Sequence, residues 1–374
     1  MPRKRLPCDF PYHPGLELSI KRHIPPEPFA EPSFLKSAAP RPMAQDPRGG
    51  PYRTPLEWCL DFPPADTEPI KDPEVRRLHV VDQVACGAER AAQVLRCYLD
   101  DTEGTTYIAK MFDALYFWPE DGDYTYEADE NYASEAAAYE DLMEASMDGH
   151  LTPHYHGSWT FDLPGPNPHS SSTRSVRMIL IEDIPGRSMG DILKNNLESF
   201  VLPEHRLTVL ARVMEIYSVL EYIGVVHMDL APRNVMIAGV DFNTWPNHTI
   251  PGVILIDFNR CALLNRPSSY FPQDDNPNPI DPKTYLGRKC PTKWKDWVPE
   301  PHRSNPAAWR GWVRKLWPNS EDYSQPHMRA RLFSDLGDFI EVPPQPDPQY
   351  VPPPSPPAES DEEFEPVQMQ RRAE

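Results

Sequence analysis

Between Gly224 and Ile237 the chain reads "GVVHMDLAPRNVMI", which sets His227, Asp229, Arg233 and Asn234 among Val, Leu, Met and Ile. Polar groups in apolar surroundings cost free energy unless they satisfy one another or bind something. Asp229 and Asn234 stand five residues apart, and a later apolar run, "VILIDF", ends on Asp257-Phe258. One carboxylate can take a proton from a hydroxyl, while a second carboxylate and an amide oxygen can hold a hard divalent cation. Upstream, Lys110 closes the β-type run "YIAK", and Glu135 opens "EAAAYEDL". A phosphoryl-transfer site needs such a set: a cation on the phosphates, oxygen ligands for a metal, and a base for the acceptor. Singly, Lys110 reads as a solvent-exposed strand end and Glu135 as an acid favoured by a helix dipole. Five such elements in this order make coincidence a poor account of them together.

The elements that must position these groups follow from the pattern. From Leu78, "LHVVDQVACG", "AQVLRCYLD" and "TTYIAKMFD" are three β-type runs separated by polar turns. The stretch "ALYFWPEDGDYTYEADENY" reads as an acidic, aromatic connection, followed by a helix capped by Ser134. "HYHGSWTFDL" and "VRMILIEDI" pair as a hairpin. His154 and His156 in it alternate along a strand with no third ligand nearby, so they read as surface residues. Residues 78–184 are thus expected to form a small, mostly antiparallel sheet with one helix.

Residues 185–342 differ. "PEHRLTVLARVMEIYSVLEYIG" spaces Leu207, Leu210, Met214 and Tyr217 as one face of a core helix, from Pro203 to a stop at Gly224. "PAAWRGWVRKLW" predicts a second helix, with Trp309, Trp312 and Trp317 on its packing side. Beyond residue 262 the region is irregular. Residues 51–77 read as a linker or extension. The fold class is α+β, a β-rich half followed by a helical half, and ligand clefts often form at such a junction.

Composition bounds the rest. The chain has 374 residues, 39% of them hydrophobic, but its 48 prolines crowd both ends. Residues 1–50 and the acidic, Pro-rich 343–374 read as disordered, which leaves about 270 residues for one bilobal domain or two small ones. The net charge of −19 argues against nucleic-acid binding, which needs a basic face. No run is long and apolar enough for a membrane helix, and no secretory signal opens the chain. Six cysteines without a CxxC pair suit a reducing, cytoplasmic setting, with "PRKR" as a candidate nuclear address. "PPPSPP" offers a docking segment for SH3- or WW-like protein partners, although such tails are more often spacers.

With "EAAAYEDL", "ILIEDIPGRSM", "GVVHMDLAPRNVMI" and "IDFN", the chain resembles the protein-kinase-like superfamily, and most of all the protein-kinase-like proteins of filamentous fungi. The resemblance runs from Leu78 to Cys261 and more thinly to Trp317. It implies a bilobal protein-kinase-like fold with a mainly helical C-lobe and with ATP and Mg²⁺ in the cleft. By it, Lys110 would hold the α- and β-phosphates, Glu135 would orient Lys110, and Gly87 would belong to the nucleotide loop. Glu182 and Ile184 would lie in the hinge beside the adenine. Asp229 would be the base, Asn234 and Asp257 the metal ligands, and His227 a brace. Serine/threonine enzymes of the superfamily usually carry Lys two residues after the base, where this chain has Ala231. Arg233 stands where tyrosine kinases place an arginine, and its guanidinium could neutralise the moving phosphoryl group.

The chain departs from the pattern at four points. Its loop "VACGAERAAQV" has one glycine where three are usual, which limits how closely backbone can cover phosphates. Met228 replaces the arginine that reads a phosphorylated activation loop, so no activation by that route is expected. Asn259 replaces the glycine after Asp-Phe and is expected to stiffen a left-handed turn. No Ala-Pro-Glu follows, which argues against the usual platform for a peptide substrate. Two readings stand: a phosphotransferase acting on a hydroxyl of a protein or small molecule, and a pseudokinase that binds nucleotide or serves as a scaffold.

Overall fold

The computed structural model describes residues 10–28, 55–65, 67–87, 90, 92–100, 102, 104–117, 124–164, 172–239, 252–266, 278–317 and 323–324. Six antiparallel strands close into a barrel: β1 (Glu17–Arg22), β2 (Val75–Ala85), β3 (Gln93–Leu99), β4 (Tyr107–Phe112), β5 (Tyr155–Pro164) and β6 (Thr173–Glu182). Their order is β1-β2-β3-β4-β6-β5, and β1 pairs with both β2 and β5 to complete the ring. Alternation builds it. Along β3, Leu95, Cys97 and Leu99 turn inward while Val94, Arg96 and Tyr98 are more exposed. Inside, Ile20, Leu78, Leu95, Met111, Trp159 and Met178 form one closed core.

The first fifty residues are therefore not wholly disordered, as composition had suggested. "ELSIKR" alternates, with Leu18 and Ile20 buried. Its N-terminal flank is pinned by Tyr12, whose hydroxyl donates to Asp113 at 2.7 Å. Arg174 meets the same carboxylate at 2.8 and 3.2 Å, so the buried charge is paired. The expected linker likewise contains a helix, α1 (Pro55–Asp61). The tail 343–374 and the docking segment within it lie outside the described residues.

A long helix, α2 (Tyr124–Glu144), follows the central strand β4. It begins ten residues before Ser134, so the expected connection is partly helix and Ser134 is not its cap. Tertiary contacts override the acidic, Tyr-rich composition here. Thr125 donates to the Phe62 carbonyl at 2.7 Å, and Asp129 accepts from the Ala65 N–H at 2.7 Å.

The second half contains β7 (Gly186–Ser188), α3 (Met189–Lys194), α4 (Pro203–Tyr222), β8 (Val225–His227), β9 (Val235–Ala238), β10 (Gly252–Leu255), β11 (Cys261–Leu263) and α5 (Pro306–Leu316). Among the described residues, three α-helices share this half with five short strands and several 3-10 turns. The core helix and the Trp helix lie where their periodicity put them. Trp309 and Trp317 are buried, and Trp312 packs against them in part. A second hydrophobic core runs from α2 through α4 to Trp294, Trp297 and Trp309. The helix α2 thus belongs to this core as well as to the β-rich half. The five described cysteines form no disulfide. No described helix is long and apolar enough to cross a membrane.

Candidate active site

Two short antiparallel strand pairs carry the opening motif. β8 pairs with β11, placing His227 opposite Cys261, and β9 pairs with β10. Asp229 and Asp257 therefore sit on loops at the ends of neighbouring pairs. Gly190 at the start of α3 lets that helix approach closely: a Cβ there would stand 2.8 Å from the Arg233 Cα.

His227 is buried and spans the two loops. Its Nε2 donates to the Ile256 carbonyl at 3.0 Å, and its Nδ1 accepts from the Asp229 N–H at 3.3 Å. Those partners require a neutral ring protonated on Nε2, and burial pushes its pKa down to match. Asn234 Nδ2 donates to the Asp229 carbonyl at 2.9 Å and to its Oδ2 at 3.3 Å. One guanidinium nitrogen of Arg233 lies 2.6 Å from Asp229 Oδ1 and 2.5 Å from Oδ2. The polar residues of the opening stretch thus satisfy one another, with Asp229 at their centre.

Lys110 lies on β4 between β3 and β6, facing Val94 and Ile179, and is buried. Its ammonium lies 2.5 Å from Glu135 Oε2 and also donates to Asp257 Oδ1. Asp257 adopts φ 71°, a left-handed backbone that costs about 1–3 kcal/mol for most residues, and it lies between β10 and β11, each paired to another strand. Asp and Asn bear that conformation best.

One cation serves two carboxylates, and their pKa values divide accordingly. Burial alone would lower that of Lys110, but Asp257 and Glu135 hold it above its ordinary value. Burial would raise that of Asp257, yet the Lys110 charge holds it below the usual carboxylate range. Glu135, almost wholly buried, is pushed up to about 7 by burial, against the pull of Lys110.

The remaining expected positions lie around this cluster. Gly87 occupies the turn after β2, where its N–H donates to Gln93 Oε1 at 2.8 Å and its carbonyl accepts from Gln93 Nε2 at 3.0 Å. Glu182 ends β6, and its carboxylate accepts the His154 N–H at 3.1 Å. Ile184 is half-buried on the segment from β6 to β7. His154 is exposed and pairs with Asp148 at 3.2 Å. Among the described residues, no group of three or more His, Cys, Asp and Glu side chains could hold a metal ion.

Sequence reasoning missed Gln93 and Lys293 and the partner of Asn259. Gln93 clasps the turn at Gly87. Asn259 does not take the left-handed turn expected of it; Asp257 does, and Asn259 Nδ2 instead donates to Asn131 Oδ1 on α2 at 2.7 Å. Lys293, exposed in the turn Thr292–Trp294, has its pKa lowered by partial desolvation from nearby protein, and the charge of Asp229 opposes the shift. Nothing in their local patterns signals these roles.

No protein-family profile matches the chain, and no curated protein does. Solved structures that match it include a Plasmodium kinase domain, at 16% identity and a TM-score of 0.36. That alignment covers 63% of this chain and 61% of the other.

Proposed function

We propose that this chain is a phosphotransferase of protein-kinase type, bilobal in plan, moving the γ-phosphoryl group of ATP to a hydroxyl of a protein or small molecule. The observation that carries the reading is Lys110 lying between Glu135 and Asp257, from a strand, a helix and a loop far apart in sequence. Lys110 is the cation for the phosphates, and Glu135 holds it in place. Asp229 is the base, kept in position by Asn234 and by the neutral ring of His227. Arg233 pairs with Asp229 in the structure and supplies positive charge at the transferring group.

The donor set suits Mg²⁺. The Lys110 cluster has two carboxylates to one ammonium, and the Asn234 amide nitrogen is spent on Asp229, which leaves its oxygen as the donor. Asp257 and Asn234 would hold the ion, which when bound neutralises phosphate charge. The fungal, protein-kinase-like affinity rests on the sequence motifs alone.

A second reading, a nucleotide-binding pseudokinase, is favoured by one observation: Asp229 and Asp257 are both engaged by cations of the chain itself. Mg²⁺-dependent ATP binding and turnover decide between them, comparing wild type with Asp229→Asn and Asp257→Ala. The phosphotransferase reading expects ATP to raise the melting temperature and Asp229→Asn to lower turnover by about 10²–10⁴-fold. Binding with no turnover, equal in wild type and Asp229→Asn, gives the pseudokinase reading. Absence of any ATP stabilisation rejects both.

A further inference from the structure

Glu135 meets Lys110 only while α2 keeps its rotation, and the segment after Asp257 fixes that rotation along one stripe of the helix. Asn131 accepts from Asn259 at 2.7 Å, and the Ser134 carbonyl accepts from Cys261 Sγ at 3.5 Å. Arg266 completes the stripe. Its Nε donates to Asp141 Oδ1 at 2.9 Å, and one terminal nitrogen donates to the Ala137 carbonyl at 3.2 Å and to Glu140 Oε2 at 3.1 Å. Positions 131, 134, 137 and 141 recur every three or four residues, so they share a face of α2. The Arg266 side chain is only 20% exposed, so water screens these contacts less than it screens surface pairs.

A second stripe is held from the other direction. Thr125, Asp129 and Tyr132, spaced four and three apart, bond to the Phe62 carbonyl, the Ala65 N–H and His23 Nδ1. With α2 gripped on two stripes, no phosphate is needed to seat it. This fits Met228, which has no charge to read one.

We propose that Arg266, supported by Asn259, is a positioning residue that clamps α2 to the segment after Asp257 and keeps Glu135 on Lys110 in the unmodified protein. The clamp rests on the kinase-type reading of the Lys110–Glu135 pair. The test compares full-length wild type with Arg266→Met, Arg266→Lys and Asn259→Ala, and uses Arg303→Met as a surface-pair control. Hydrogen exchange of α2 amides is measured beside Mg²⁺-ATP affinity.

In Arg266→Met, α2 amides are expected to exchange about tenfold faster while β5 and β6 are unchanged. ATP affinity is expected to fall by about tenfold, with Arg266→Lys recovering part of both losses. Phosphatase treatment of the wild type leaves both readouts unchanged. Equal α2 exchange in Arg266→Met and wild type overturns the clamp; so does equal acceleration of the barrel strands, which marks a general loss of stability, or a phosphatase effect. If Arg266→Met does not fold, Asn259→Ala, which removes one hydrogen bond, takes its place with the same outcomes. A wild type that binds no Mg²⁺-ATP rejects the kinase-type reading, and the exchange data then decide the clamp alone.

Discussion

Lys110 shares one positive charge between Asp257 and Glu135, and the burial of Glu135 gives the site a pH signature. The pKa of Glu135 is raised from 4.5 to about 7, so the folded state binds its proton more tightly than the unfolded chain does. The protonated group favours folding fully below pH 4.5, and that contribution is lost as pH rises through about 7. Asp257 acts in the opposite sense: its depressed pKa gives stability above 3.8 that is lost as pH falls below it. Denaturant midpoints from pH 4.5 to 7 are therefore expected to decline more steeply in wild type than in Glu135→Gln. Parallel curves would mean that Glu135 does not titrate there. At this scale the sequence was informative where a fixed short spacing brings polar groups together, as in His227, Asp229 and Asn234. It was silent on the left-handed backbone of Asp257, which lies between two strands whose partners are distant in sequence.

Among the elements, α2 and β1 show what local pattern leaves out. Nine helical residues before Ala133 look like a loop because their partners, Phe62, Ala65 and His23, lie far away in sequence. Glu135 consequently sits mid-helix, where a favourable helix-dipole position cannot account for it. The strand β1 was concealed by the prolines around it, although its own six residues alternate. The link between β1 and the 3-10 turn after β4 is the buried group of Tyr12, Asp113 and Arg174, which leads to a stability prediction. Replacing Asp113 by Ala leaves the Arg174 guanidinium buried and uncompensated, and should cost about 3–5 kcal/mol. Urea denaturation measures this. A loss below about 1 kcal/mol would mean that water or another acceptor takes over.

For the molecule as a whole, Leu115, just after β4, packs against both cores. The barrel has its own interior, while α2 carries Glu135 from the second core to Lys110 on the barrel wall. Helices and strands with a clear period, such as α4, α5, β3 and the β5–β6 hairpin, were legible because one face of each is apolar. The ties across the molecule were not, since Arg266 and Asn259 stand in stretches with no period.

Closure of the barrel bears on solubility. An open sheet would leave β2 and β5 with rows of unpaired backbone groups, and such edges recruit strands from other molecules. β2 also exposes Val75, Val81 and Val84, which would favour that pairing. Lys21 stands at the seam, opposite Val75 on β2 and Thr160 on β5, with its side chain exposed. Lys21→Pro is expected to loosen the seam while keeping Leu18 and Ile20, because proline removes a ladder donor. Light scattering per unit mass should then rise with protein concentration at temperatures where that of wild type stays constant. A variant that stays equally monodisperse would show that another part of the chain guards those edges. In this molecule a six-residue strand among prolines bridges β2 and β5 and so closes the ring.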